Sequence, residues 1–386
     1  MRAVQVRLSW RNRWRTWRNR LLLDPLFQRR AAGFWLTRWR ARREAEQTFD
    51  LVAGFVYSQV ILACQRLGVL EKLRAGPVPE SVLLGQMDLP EDAAVTVLRA
   101  AEAIDLLEYE AGAERAQGRW WLGPKGAALL GNAGVLAMIE HHAVLYRDLA
   151  EPLACLRAPR GSTELARYWP YAASAEPRAL EDAAARDYTG LMAASQGLVA
   201  DEILDAFDVS SFARVLDVGG GDGTFLRHVA RRNPRADLVL FDLPAVAARA
   251  ALRFAEAGLA ERAHCIGGDF SRDPLPTAAE LICLVRVLHD HDDALATLLL
   301  QRAYAALPPD GILLLAEPFA ATPGARRMGG AYFGMYLWAM GSGRPRSVEE
   351  VEKMLADQGF VGIRRHSTRI PLQTSVLTAC KPREPK

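Results

Sequence analysis

The chain has 386 residues, 50% hydrophobic and 24% charged, with a formal net charge of only +3; this is a globular composition, long enough for two domains and unlike a disordered chain. Its five cysteines, Cys64, Cys155, Cys265, Cys283 and Cys380, are odd in number and never form C-x-x-C, which argues against a disulfide scaffold or zinc ribbon and fits a reducing, cytoplasmic compartment. The longest uncharged apolar stretches, 51–65 and 328–343, are too short to span a bilayer comfortably.

The small net charge conceals an asymmetry. Residues 1–43 carry thirteen arginines against one acid, Asp24, so the remainder is net acidic. Trp10, Trp14 and Trp17 are spaced four and three apart. Trp35 and Trp39 are four apart, with a break at Pro25. The spacing predicts helices with indoles on one face and guanidiniums around them. Indoles suit the head-group level of a membrane and arginines suit anionic phosphates, so residues 1–47 read as an arm lying on an anionic membrane surface. Nucleic-acid binding by arginine and stacking tryptophan is the rival, and a solvated tail or a helix packed on a partner is the plain alternative.

Residues 48–140 predict a mostly helical first domain. Helices are expected over 48–74, 78–87 and 90–108, the last two opening with Pro and an acid, and a ribbon around 118–130 follows with turns at Gly118 and Gly123. Three helices and a ribbon make a winged-helix arrangement. Residues 90–107 hold Arg99 against Glu91, Asp92, Glu102 and Asp105, too acidic to read a DNA groove, so a structural or dimerising role is expected and no nucleic acid. Residues 141–184 read as a helical linker containing His141 and His142.

Residues 185–386 predict an α/β domain. Strand-like and helix-like pieces alternate from residue 213, the strands are uniformly apolar, and the chain closes on a hairpin. This pattern means a largely parallel seven-stranded, Rossmann-like sheet covered on both faces. The first strand runs into Asp217, Gly219, Gly221 and Gly223, glycines that let the backbone turn tightly and approach a ligand. Thr224 and Leu226 stand where a dinucleotide fingerprint needs glycine, and no G-K-[ST] follows, so NAD, FAD and ATPase-type loops are disfavoured. The next strands end at Asp242, placed for ribose hydroxyls, and at Asp269-Phe270, a carboxylate for an amine beside a ring for stacking. His289 follows a buried strand at the same sheet edge, where an imidazole is the natural base near neutral pH. A metal in the run His289–Asp293 is disfavoured because consecutive residues diverge and Asp292 and Asp293 open a helix. Phe333, Met335, Tyr336, Trp338 and Met340 are expected to form an apolar pocket wall, with plain core as the alternative.

In order, VLDVGGGDG, FDLPAV, GGDF, LVRVLHDHDD and ALPPDGILLLAEP resemble the cation-independent O-methyltransferases that use S-adenosylmethionine. The resemblance spans about residues 50–380 and implies a winged-helix dimerisation domain joined to a Rossmann-like catalytic domain, working as a homodimer without a metal. It places Gly219 and Gly221 in the cofactor loop, Asp242 at the ribose, Asp269 and Phe270 at the adenine, His289 as catalytic base and Glu317 as its flanking acid. Two positions depart from the pattern: Val285 stands where a lysine is frequent, with Arg286 adjacent, and the second flanking acid is missing near Pro345. With its Arg/Trp arm, the whole chain is similar to a bacterial branch that methylates the tertiary hydroxyl of an acyclic hydroxycarotenoid in purple phototrophs, which implies a photosynthetic or inner membrane nearby. Methylation of a phenol, a polyketide or a bacteriochlorophyll precursor, and a non-enzymatic regulator that senses the cofactor, are the other readings.

Overall fold

A computed structural model describes residues 9–112, 118–169, 182–371 and 374–383. The chain divides into two compact units, Met1–Ala128 and Leu129–Lys386. The first eight residues of the expected arm and residues 170–181 of the expected linker lie outside the described residues.

The first unit opens with α1 (Trp10–Leu23) and α2 (Pro25–Gly33). The break between them is local chemistry: the Asp24 side chain accepts from Leu26 N at 2.9 Å and Pro25 takes the first helical position, an N-cap followed by a residue without an N–H to lose. A second break at Phe34–Thr37 precedes α3 (Arg38–Arg66). Trp35 therefore sits in a turn and does not share a helical face with Trp39, contrary to the spacing expectation. Helix α3 is also one continuous rod across the expected boundary at residue 47, because nothing from Arg38 to Arg66 interrupts the helix. By length and composition it could cross a membrane. Its last turns bury Leu62 and Cys64, while Phe49, Leu51, Val52, Phe55 and Val56 remain exposed.

Next come α4 (Val69–Lys72), β1 (Val78–Pro79), α5 (Glu80–Gly85) and α6 (Glu91–Ala103). Helix α6 stops earlier than expected. Asp105 takes φ 62°, a conformation short polar residues tolerate, and Leu107–Glu110 becomes β2. Strand β3 (Arg119–Leu122) pairs antiparallel with both β1 and β2. The expected ribbon ends there, since Pro124–Leu130 is α7. Arg99 lies 4.0 Å from the Tyr109 ring centroid and 5.0 Å from that of Trp120 and pairs with Glu102, so the one cation of α6 is used within this unit.

In the second unit α8 (Ala133–Leu149), α9 (Pro152–Arg157), α10 (Glu164–Tyr168) and α11 (Asp182–Ala206) precede the sheet. The expected boundaries at 140/141 and 184/185 fall inside α8 and α11; helical periodicity carries no mark at either point. The sheet comprises β4 (Arg214–Val218), β5 (Asp237–Asp242), β6 (Ala263–Gly267), β7 (Leu281–Val285), β8 (Ile312–Glu317), β9 (Val361–His366) and β10 (Ser375–Cys380), in the order β6-β5-β4-β7-β8-β10-β9. The first five are parallel and β10 is antiparallel to both neighbours. This is the expected seven-stranded α/β fold. Alternate side chains feed two cores: Leu216, Val239, Ile282 and Leu313 on one face, Val215, Leu238, Leu281 and Leu314 on the other. That two-sided burial is why the strands read as unbroken apolar runs.

Candidate active site

The carboxyl ends of β4, β5 and β7 open onto a cavity of about 450 Å³, within the range of small-molecule sites. Its walls include Gly219, Gly221, Asp242, Asp269 and Phe270, so the structure brings together all five residues expected to bind a cofactor.

The glycines have different physical reasons. Gly219 has φ 71°, and a Cβ there would come within 2.8 Å of Val287 Cγ2; Gly221 has φ 59°, but its Cβ would meet nothing within 4 Å. The open side of Gly221 is thus where backbone can approach a ligand. Asp242 accepts from Gly221 N at 2.8 Å and Leu243 N at 2.7 Å. Burial pushes its carboxyl up to about 6 against those two hydrogen bonds. Asp269 accepts from Ser271 N at 2.8 Å through Oδ1, while its buried Oδ2 has no protein partner. A buried acceptor left open suits an amine donor. Phe270 lies beside it, edge to face with His291 at 5.0 Å. A ribose acceptor, an amine acceptor and an aromatic ring at one sheet edge fit the nucleoside of S-adenosylmethionine. Asp217 does not belong to this wall. It is buried beneath the loop, with Oδ2 2.7 Å from where a Gly220 Cβ would stand, and burial, then the Asp242 charge, hold its carboxyl well above the usual range.

His289 sits in a 3₁₀ turn, Leu288–Asp290, just after β7. Its Nδ1 bonds Glu317 Oε2 at the end of β8, and Glu317 Oε1 accepts from Val287 N at 3.0 Å and Leu288 N at 2.7 Å. One buried carboxylate thus fixes both the ring and the turn that carries it. On the other side Nε2 lies 3.2 Å from Asp290 Oδ1. Burial lowers the His289 pKa, but the Glu317 and Asp290 carboxylates outweigh it and the net direction is up. The ring packs edge to face on Phe333, 5.5 Å between centroids. His289 is not itself in the wall of the large cavity; Arg286, Asp290 and His291 from the same segment are.

The run His289–Asp293 diverges as expected. Asp292 bonds Arg160 and Gly343 N, both at 3.1 Å, and Asp293 pairs with Arg344 and Arg346. Among the described residues no three His, Cys, Asp or Glu side chains are placed to hold a metal ion.

The expected apolar wall divides. Residues Phe333–Met340 form a helix after a π-helical turn, Arg327–Tyr332. Tyr336 and Met340 are core, packed with Trp169 and Leu145. Trp338 is covered by Arg160 at 5.3 Å. Only Phe333 of this stretch reaches His289 as a ring contact. His141 and His142 do reach this region: Nε2 of His141 lies 2.7 Å from the Tyr336 hydroxyl and Nε2 of His142 2.8 Å from that of Tyr332. Burial, with His142 nearby, pushes His141 down to about 4.

Sequence reasoning gave no role to Arg286, and it did not single out Trp169, Met192 or Gln196, all in the cavity wall. Arg286 holds φ 59° and donates to Ser195 Oγ at 2.8 Å. A non-glycine residue in that conformation is strained, and such residues cluster at functional sites. No motif marks the others; α11 brings its residues to the cavity only once folded.

Residues 162–361 match the family model described as the O-methyltransferase domain, and the chain belongs to the O-methyltransferase family. It is an S-adenosylmethionine-dependent O-methyltransferase. The chain is 43% identical over 88% of its length to the demethylspheroidene O-methyltransferase of Rhodobacter capsulatus, covering 82% of that protein. It is 42% identical to the enzyme of the same name from Cereibacter sphaeroides, covering 88% of each. Among solved structures, human N-acetylserotonin methyltransferase in complex with S-adenosylmethionine shares the fold, with a TM-score of 0.71, 22% identity, and coverage of 88% of this chain and 98% of that one.

Proposed function

We propose that this enzyme methylates the tertiary hydroxyl at the end of an acyclic hydroxycarotenoid, with His289 as general base and Glu317 as the acid that orients it. The observation that carries the reaction is the His289–Glu317 pair, in a segment whose Arg286, Asp290 and His291 line the cavity walled by Gly219, Asp242, Asp269 and Phe270. The carotenoid substrate rests on the 43% and 42% identity to two demethylspheroidene O-methyltransferases.

The cofactor, when bound, supplies an electrophilic sulfonium methyl. The chain's own residues do the rest. Gly219 and Gly221 give the backbone its approach, Asp242 takes ribose hydroxyls, and Asp269 with Phe270 takes the adenine. His289 removes the proton of the acceptor alcohol, and holding that oxygen in line supplies about 7–11 kcal/mol of the barrier reduction through lost translational freedom.

A long carotenoid resides in the bilayer, so the enzyme must meet it at the membrane surface. Trp10 (74%), Trp14 (48%), Trp17 (58%), Trp35 (71%) and Trp39 (64%) are all exposed, among arginines of which Arg18 lies 5.3 Å over Trp14. We assign these residues to the interface of an anionic membrane on the cytoplasmic side, and the exposed apolar ridge Phe49–Val56 of α3 to a second copy of the chain in a homodimer. The test is to incubate the protein with methyl-labelled S-adenosylmethionine and a pigment extract: label should enter an acyclic hydroxycarotenoid, and label in a phenol or a tetrapyrrole alone would replace this substrate.

A further inference from the structure

Glu317 accounts for one side of the His289 ring. The loop that would bring a second acid to the other side carries Arg344, Pro345 and Arg346. Arg346 is buried and its guanidinium donates to Leu288 O and His291 O, both at 2.8 Å. A guanidinium cannot accept a proton from an imidazole, so neither arginine of this loop stands in for a carboxylate.

Asp290 does. Its Oδ1 lies 3.2 Å from His289 Nε2, and Asp290 forms part of the cavity wall that His289 itself does not reach. One residue thus both pairs with the ring and lines the space where a substrate would lie. We propose that Asp290 is a positioning residue that takes the place of the missing second acid, holding Nε2 of His289 until a substrate hydroxyl arrives from the cavity and then releasing it. This rests on the reading of His289 as the base.

The proton inventory is closed. Glu317 on Nδ1 and Asp290 beside Nε2 together raise the pKa of the ring against its burial; in its protonated form the ring cannot act as a base. When a hydroxyl displaces Asp290, the Nε2 proton leaves on the Asp290 carboxylate and passes to water in the cavity. Nε2 is then free to accept the hydroxyl proton. After turnover that proton leaves by the same carboxylate. The charged or titratable groups around the ring are Glu317 from β8, Asp290 and His291 from its own segment, Arg286 from the end of β7 and Arg346 from the loop before residue 348; of these only Asp290 both touches Nε2 and faces the cavity.

The test uses the full-length protein labelled with ¹⁵N-histidine and no ligand. Across a pH titration the wild-type spectrum should show His289 losing its second ring proton at a higher pH than an ordinary histidine, with the resonance assigned by its absence in His289→Gln. Asp290→Asn should move the His289 titration to lower pH, and Asp290→Glu should restore it. Turnover of Asp290→Asn should fall by less than the about 10²–10⁴-fold expected for loss of the base itself, with the acid limb of its pH profile displaced in the same direction. An unshifted His289 titration in folded Asp290→Asn would overturn the proposal. So would a wild-type ring that titrates at or below the pH of an ordinary histidine, a result that needs no variant to fold. If instead His289→Ala retains its activity, the base assignment fails whatever Asp290 does to the titration.

Discussion

Glu317 holds both His289 and the turn that carries it: one carboxylate oxygen bonds the ring at Nδ1 and the other accepts the backbone N–H groups of Val287 and Leu288, at 3.0 and 2.7 Å, that lead into it. Orientation of the base and the shape of its turn are therefore one interaction. His289→Ala should lose about 10²–10⁴-fold in turnover with cofactor affinity unchanged. Glu317→Gln should lose turnover and also soften the turn, visible as a lower Tm. Steady-state kinetics with calorimetric cofactor binding checks both; near-normal turnover in His289→Ala would remove it from the reaction.

Asp242, as the proposed ribose acceptor, should make cofactor binding pH-dependent. Its carboxyl is pushed up to about 6 in the folded chain, from an ordinary value of 3.8. Ribose hydroxyls donate best to the ionised form, so affinity for S-adenosylmethionine should weaken by up to tenfold per pH unit below about 6 and level off above it. In the free protein the sign is opposite. The folded state holds this proton more tightly than the unfolded chain, so Asp242 costs nothing below pH 3.8 and costs up to about 3 kcal/mol above 6. Asp242→Asn should weaken binding at pH 8 by about 1.5–3 kcal/mol and flatten its dependence on pH, measured by calorimetry from pH 5 to 8.

The glycine loop separates folding from binding. Gly219→Ala meets both a positive φ and Val287 Cγ2 at 2.8 Å, so it should destabilise the fold by about 1–3 kcal/mol. Gly221→Ala meets the positive φ alone and should cost about 1 kcal/mol of stability. Its larger effect should be on cofactor affinity, since its Cβ occupies the open side of the loop. Thermal unfolding beside calorimetric titration distinguishes the two; equal effects on affinity would contradict the division.

Much of this site was legible because β4, β5, β7 and β8 are buried on both faces and end in short polar signals: the glycine run, Asp242, Asp269-Phe270, His289 and Glu317. Strand ends in a parallel sheet share one edge, so linear order already places them together. What was not legible depends on contacts distant in sequence. The separation of Asp217 from the wall follows from packing under Gly220, the placing of Asp290 in the cavity wall and of His289 outside it follows from a single 3₁₀ turn, and the core role of Tyr336 and Met340 follows from Trp169 and α8. In the first unit, the 47/48 boundary failed because charge changes there while helical propensity does not, and the Trp35–Trp39 pairing failed because spacing alone does not reveal a turn at Phe34–Thr37.

The arm should govern access to membrane-embedded substrate. Arginines near an anionic surface contribute about 1 kcal/mol each, and inserted indoles add a part that salt does not screen. A protein lacking residues 1–43 should lose most of its binding to anionic vesicles and its activity on substrate held in them, yet keep activity on a detergent-solubilised alcohol. Vesicle sedimentation across a salt series checks this: wild-type binding should weaken without vanishing. Full binding by the truncated protein, or preference of the intact protein for DNA over vesicles, would contradict the assignment.

The most direct test of the account is mass analysis of the product formed from a purified acyclic carotenoid bearing one terminal tertiary hydroxyl, presented in anionic vesicles with S-adenosylmethionine carrying a deuterated methyl. The account predicts one deuterated methyl ether at that tertiary oxygen, formed by the wild type and lost in His289→Ala. An unmodified carotenoid together with ready methylation of a phenolic acceptor would contradict it.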